Sequence, residues 1–200
     1  MVHEEQRLIT AAQRGNVDDF NALVRMYETR VYTLCYRMLG DGDSAADAAQ
    51  DAFISAFRNI KRFRGGSFRS WMLRIATNTC YDVLRARKRR PTTSLDIDED
   101  EEDVGSPLQI ADPSESPDDT VMRHELASAI QDGLEKLPED QRIVLILSDV
   151  QGFAYEEIAE VTDTNLGTVK SRLSRARSRL RTILKGEELL PVRYRHDSDR

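Results

Sequence analysis

GFAYEEIAEVTDTNLGTVKSRLSRARSRLR, from Gly152 to Arg181, changes character half-way along. Its first part, AYEEIAEV, is short, with Tyr155, Ile158, Ala159 and Val161 as apolar positions at helical spacing. TDTNLG then makes a tight turn, with Thr164 or Asn165 placed to cap the next helix. From there Val169, Leu173, Ala176, Leu180 and Leu184 recur at offsets of 4, 7, 11 and 15, one continuous apolar stripe. A short helix, a turn and a longer helix form a helix-turn-helix pattern.

The longer helix is strongly basic. Lys170 to Lys185 holds seven basic and no acidic residues. A solvated charged face or a protein-binding helix would also carry charge. An exposed helix, however, usually mixes signs to gain i,i+4 pairs. Like charges without counter-charges make physical sense when a polyanion neutralises them. Lys170, Ser171, Ser174 and Arg175 share one outward face near the helix start, where a recognition helix meets base edges in the major groove. Arg and Lys can donate to guanine, and serine can donate or accept. Arg172, Arg177 and Arg179 are better placed for phosphates.

Working outward, this basic helix sits in a chain of net charge −6. Residues 91–120 hold 11 acidic residues, no basic ones and four of the six prolines. Such a segment cannot bury enough apolar surface to fold alone. We read 92–120 as a flexible acidic linker, spanning roughly 30 Å as a random coil and more under self-repulsion. Residues 1–90 carry 16 Lys/Arg against 10 Asp/Glu. The acidity is therefore local, and it leaves the first domain basic.

The N-terminal part also reads as helical. Phe20, Leu23, Val24, Tyr27, Val31, Leu34, Cys35, Met38 and Leu39 trace one stripe, stopped by LGDGD. A second helix is expected from Ser44, with Asp47 completing a capping box. Its buried side would carry Ala45, Ala49, Ala52, Phe53, Ala56, Phe57 and Ile60. A third is expected over about Phe68–Arg87, and after the linker another covers about Met122–Leu137. A further helix should start at Pro138, where a missing N–H costs nothing. No stretch alternates with period two, so the expectation is all-α, with two helical domains.

Function classes narrow by the same means. No apolar run approaches the roughly 18 residues of a membrane span. The N-terminus lacks a signal-peptide layout, so the default location is the cytoplasm. Cys35 and Cys80 are expected as reduced interior thiols. His3, His124 and His196 stand in no cluster of metal-ligand spacing, so neither a metal nor another cofactor is expected. No phosphate loop or nucleophile elbow is present, which argues against an enzyme.

Two motif sets then converge. GFAYEEIAEVTDTNLGTVKSRLSRAR resembles region 4 of the extracytoplasmic-function (ECF) sigma factors, small members of the sigma-70 family. Asp47–Pro91, DAAQDAFISAFRNIKRFRGGSFRSWMLRIATNTCYDVLRARKRRP, resembles regions 2.2 to 2.4 of that family. LEKLPEDQRIVLILSDVQGFAYEEIA resembles the approach to region 4. A helix-turn-helix alone would leave a stand-alone DNA-binding regulator as the alternative; the N-terminal motif argues against it. The resemblance implies region 2 over 1–91, the linker over 92–120, region 4 over 121–185 and a tail over 186–200.

It also implies partners and roles. The partners would be core RNA polymerase, promoter DNA in double- and single-stranded form, and an anti-sigma factor, without membrane insertion. Asp47, Gln50, Asp51 and Arg58 would face polymerase. Phe63, Arg64, Arg74, Asn78, Arg85, Lys88 and Arg89 would serve the −10 element, with Phe63 and Asn78 where the family holds a flipped base. Lys170, Ser171, Arg172, Ser174, Arg175 and Arg177 would serve the −35 element. One departure is Ala154, where many relatives carry Ser or Thr; losing such a cap costs about 1 kcal/mol.

Overall fold

The computed structural model describes residues 2–89 and 117–186, all its regular elements being helical. Arg90, most of the linker read over 92–120 and the tail after Gly186 lie outside the described residues. The N-terminal domain contains α1 (Val2–Gln13), α2 (Val17–Leu39), α3 (Gly42–Asn59) and α4 (Phe68–Arg89). A short 3-10 turn, Ile60–Arg62, follows α3. The C-terminal domain contains α5 (Pro117–Glu135), α6 (Glu139–Leu145), α7 (Tyr155–Thr162) and α8 (Leu166–Gly186). α5 thus begins inside the segment read as linker, with proline at its first position.

Local chemistry explains the boundaries. Asn16 caps α2 by accepting the amides of Asp18 and Asp19. Gly40 ends that helix in the left-handed region, φ 89°, which glycine enters without penalty. α3 starts earlier than Ser44: Asp41 is its cap, its Oδ1 accepting the Ser44 amide at 2.7 Å. Asp41 also takes a guanidinium hydrogen from Arg87, whose other nitrogen donates to the Leu39 carbonyl at 2.9 Å. One arginine near the end of α4 thereby ties the α2–α3 corner. Burial acts to raise the Asp41 carboxyl, but Ser44 and Arg87 outweigh it and hold it below the usual carboxylate value.

The N-terminal core is built from the predicted stripe. Leu23, Val31, Leu34 and Met38 of α2 meet Ala45, Ala52 and Ala56 of α3 and Met72, Leu73 and Ala76 of α4. The alanines let α3 lie close against α2. Cys35 and Cys80 both belong to this core, free and buried as expected. The neighbouring Cys80 thiol and burial together push the Cys35 thiol up, which disfavours its reactive thiolate. Phe57, expected on the buried side, is 38% exposed, although its ring meets Phe20 at 4.9 Å.

In the C-terminal domain Ile143–Leu147, Phe153, Ile158, Val161, Val169, Leu173 and Ala176 form the core. α6 widens at its end into a π-helical turn, Ile146–Val150, which the sequence reading did not resolve. Gly133 lets α5 meet α8: a Cβ there would stand 2.7 Å from Leu180 Cδ1. Asp163 ends α7 in the left-handed region at φ 53°, a conformation that Asp tolerates better than most residues. Asn165, of the two expected caps, accepts the Thr168 amide at 2.8 Å. At Ala154 half a capping box survives, because Glu157 accepts the Ala154 amide at 2.9 Å.

The domains pack on each other. Arg142 of α6 donates to the Met38 carbonyl at 2.5 Å. Gln151 donates to the Arg30 carbonyl at 3.0 Å, and Arg37 to Gln131 at 3.1 Å. Arg69 of α4 lies 4.0 Å above the Phe153 ring and donates to the Gln151 carbonyl. α7 also packs against α4.

Candidate nucleic-acid and polymerase interfaces

α8 carries its functional face by simple partition. Val169, Leu173 and Ala176 are buried, and Lys170, Ser174 and Arg175 are exposed. Ser171 is half-buried; its hydroxyl donates to the Thr168 carbonyl at 3.0 Å and accepts from Arg175 at 3.1 Å. That bond lays Arg175 back along the outward face. Arg172 and Arg177 differ from the rest. Arg172 pairs with Asp140 at 3.0 Å, and Arg177 with Asp149 at 2.6 Å. Tyr155, Lys170, Leu173, Ser174, Arg177, Ser178 and Arg181 line a groove of about 410 Å³ along this face.

α4 offers a second basic face. Arg74, Asn78, Arg85, Lys88 and Arg89 are exposed along it. A cavity of about 240 Å³ opens at its start, walled by Phe63, Arg64, Ser70, Trp71 and Arg74. Phe63 is only 6% exposed. Its ring sits 5.5 Å from Phe68 and 5.4 Å from Trp71, so it is a wall rather than an open stacking platform. Asn78 is outside this cavity lining but one turn beyond Arg74 on the same side of α4. The sequence reading missed Ser70, whose buried Oγ lines the cavity without a hydrogen-bond partner. A lone serine in an apolar helix register gave no signal for it.

The C-terminal domain closes over this second face. Glu160 and Val161 of α7 complete the cavity wall. Arg74 meets Asp163 at 3.9 Å, and Lys88 meets Glu139 at 2.8 Å. Burial pushes the nearby Tyr81 phenol up to about 12. Arg85 turns to Asp82 of its own helix at 3.1 Å, while Arg89 donates to the Arg85 carbonyl at 3.3 Å.

α3 presents a third surface. Asp47, Gln50, Asp51 and Arg58 are all exposed on one stripe. Ile54 and Phe57 continue it, 39% and 38% exposed, and the sequence reading did not assign them here. Spacing carried the signal: Ile54 follows Gln50 and Asp51 by four and three residues, Phe57 follows Ile54 by three, and i+3 and i+4 neighbours share a helix face. Acids at one end and apolar groups toward the other suit a partner with basic and apolar patches.

Comparison with known proteins matches this division. The Sigma-70 region 2 family model matches residues 23–90, and the Sigma-70, region 4 model residues 127–180. The ECF RNA polymerase sigma-E factor of Haemophilus influenzae is 39% identical over 176 residues, 86% of this chain and 91% of the relative. The chain is an ECF sigma factor of the sigma-70 family. The RNA polymerase sigma-H factor of Pseudomonas aeruginosa is likewise 39% identical, over 87% of this chain and 90% of its own. Among solved structures, the sigma factor RpoE of Bartonella quintana, in complex with the anti-sigma factor NepR, matches with a TM-score of 0.62. It is 27% identical and covers 84% of this chain and 98% of that one.

Region 2 and region 4 therefore stand in the order the motifs implied, and a stand-alone regulator is set aside. Among the described residues of this sigma factor, no helix is long and apolar enough to cross a membrane. No cluster of His, Cys, Asp or Glu among them could hold a metal ion.

Proposed function

We propose that this sigma factor docks on core RNA polymerase through α3, reads the −35 duplex through α8 and holds the melted −10 strand along α4. Asp47, Gln50, Asp51 and Arg58 contribute the polar part of the polymerase contact, with Ile54 and Phe57 beside them. Lys170, Ser171, Ser174 and Arg175 face −35 base edges, and Arg172 and Arg177 belong to the same interface. Arg64, Arg74, Asn78, Arg85, Lys88 and Arg89 serve the −10 strand, with Phe63 as the wall of its base pocket. Residues 1–91 and 121–185 are the working domains, 92–120 tethers them, and 186–200 is an appended tail.

Core polymerase supplies the chemistry, so this chain is not itself an enzyme and works in the cytoplasm. An anti-sigma factor is its proposed regulator, by analogy with the Bartonella protein. The observation carrying this reading is the outward face of α8, unobstructed and cationic at the end of a helix-turn-helix. Affinity capture with core polymerase, then run-off transcription on genomic fragments, tests it. Discrete start sites are expected, and failure to bind core at moderate salt would refute it.

A further inference from the structure

Region 4 divides the cations of α8 into two sets. Arg172 and Arg177 have carboxylate partners, Asp140 and Asp149. Among the described residues, Lys170, Arg175, Arg179 and Arg181 have none. The Arg177 pair is two-pronged: Nη2 reaches Oδ1 at 2.6 Å and Nε reaches Oδ2 at 3.2 Å. Ser148 Oγ stands 3.4 Å from the same Nη2. Planar two-point pairing fixes the orientation of a guanidinium as well as its charge.

Placement makes this division meaningful. At about 100° per residue, Arg172 and Arg177 fall on opposite flanks of the buried seam of Val169, Leu173 and Ala176. Asp140 sits in the first turn of α6, and Asp149 in the π-helical turn that follows α6. α8 is thus strapped at mid-helix to α6 and to the π-helical turn after it, once on each side of its seam. A helix held only by an apolar seam can roll on it; a strap on each flank resists roll in both directions. Ser171, Ser174 and Arg175 point away from the seam, so the roll angle sets which base edges they meet.

We infer that Arg172 and Arg177 are positioning residues that fix the roll of α8, and that the phosphate contacts fall to Arg179 and Arg181. This rests on the reading of α8 as the −35 helix. Burial acts to raise the Asp149 carboxyl, but the hydrogen bonds from Arg177 and Ser148 outweigh it and hold it low, so the strap stays ionised at neutral pH.

The test uses holoenzyme, full chain plus core polymerase, on a −35 duplex enriched by wild type from a random-sequence pool. Asp149→Asn and Arg177→Gln should each cut discrimination against mismatched −35 duplexes about fivefold, and the double variant should be no worse than either. The slope of log affinity against log salt should stay at the wild-type value in all three. Arg181→Ala, by contrast, should lower that slope by about 0.9, one released counterion. A similar fall in slope for Arg177→Gln, or tighter binding by Asp149→Asn, would overturn the inference. So would uniform weakening with discrimination intact, which marks plain loss of stability. Failure of wild type to enrich any duplex would instead refute the −35 reading on which the inference rests.

Discussion

The two proposed DNA-facing helices, α4 and α8, are both long, basic on one side and buried on the other, yet they stand in opposite states. The base-reading face of α8 is exposed, and the acids near it pair with arginines on its flanks. The face of α4 lies under the other domain: Glu160 and Val161 wall its cavity, and Asp163 and Glu139 meet Arg74 and Lys88. Carboxylates serve as local bracing at α8 and as internal counter-charges at α4. One proposed DNA face is presented whole, and the other is bordered and partly paired by the molecule itself.

The energetics of that cover lie in its middle. Exposed ion pairs such as Arg74–Asp163 contribute about 0–1 kcal/mol. The buried hydrogen bond from Arg142 and the part-buried one from Gln151, with Arg69 over Phe153, carry more of it. On the proposed reading, single-stranded DNA along α4 would compete with α7 for the same side chains.

The sharpest contrast should be between seam and face of α8. Leu173→Ala, at a position 2% exposed, should cost about 2–5 kcal/mol of stability in urea unfolding. Arg175→Ala should leave the unfolding midpoint nearly unchanged and cost about 1–3 kcal/mol in −35 binding, read by competition with single-base variants. If all sequences weaken equally, Arg175 contacts phosphate only.

For α4, Asn78→Ala should slow open-complex formation and spare closed-complex binding, as followed by permanganate reactivity of the −10 thymines. Equal loss in both would remove Asn78 from the proposed −10 contacts. Opening the cover is a milder change. Gln151→Ala with Asp163→Asn should tighten binding of single-stranded DNA to the free chain about fivefold, by raising the fraction of open molecules. Duplex binding through α8 should stay unchanged; anisotropy with both probes separates the two.

The smallest effect is the acid dependence of the bracing. Asp149 titrates below its unfolded value, so its contribution is present above that unfolded value and lost as pH falls through the folded one. Acid unfolding of wild type and Asp149→Asn should converge at low pH and separate slightly near neutrality.

Much of the fold was legible in the sequence, and the reasons are specific. The stripe Val169, Leu173, Ala176 and Leu180 gave α8, because periodicity needs no knowledge of partners. The α3 start was misplaced because SAAD reads as a capping box, while Asp41 had the better geometry with Arg87 pinning it. Arg172 and Arg177 looked like their neighbours, since nothing local marks Asp140 and Asp149 as their partners. The packing of the C-terminal domain on α4 was hidden for the same reason: Arg69 and Gln151 are 82 positions apart. Contacts of that range leave no periodic trace.

The most direct measurement of the central claim is promoter melting by reconstituted holoenzyme at a promoter found by start-site mapping. Wild type should give permanganate-reactive thymines around −10 and protection around −35. Arg175→Ala should weaken both together, because recruitment precedes melting, whereas Arg74→Ala with Asn78→Ala should keep the −35 protection and lose the −10 reactivity. Retained −10 reactivity in the α4 variant, or intact −35 protection in the α8 variant, would contradict the assignment of the two helices.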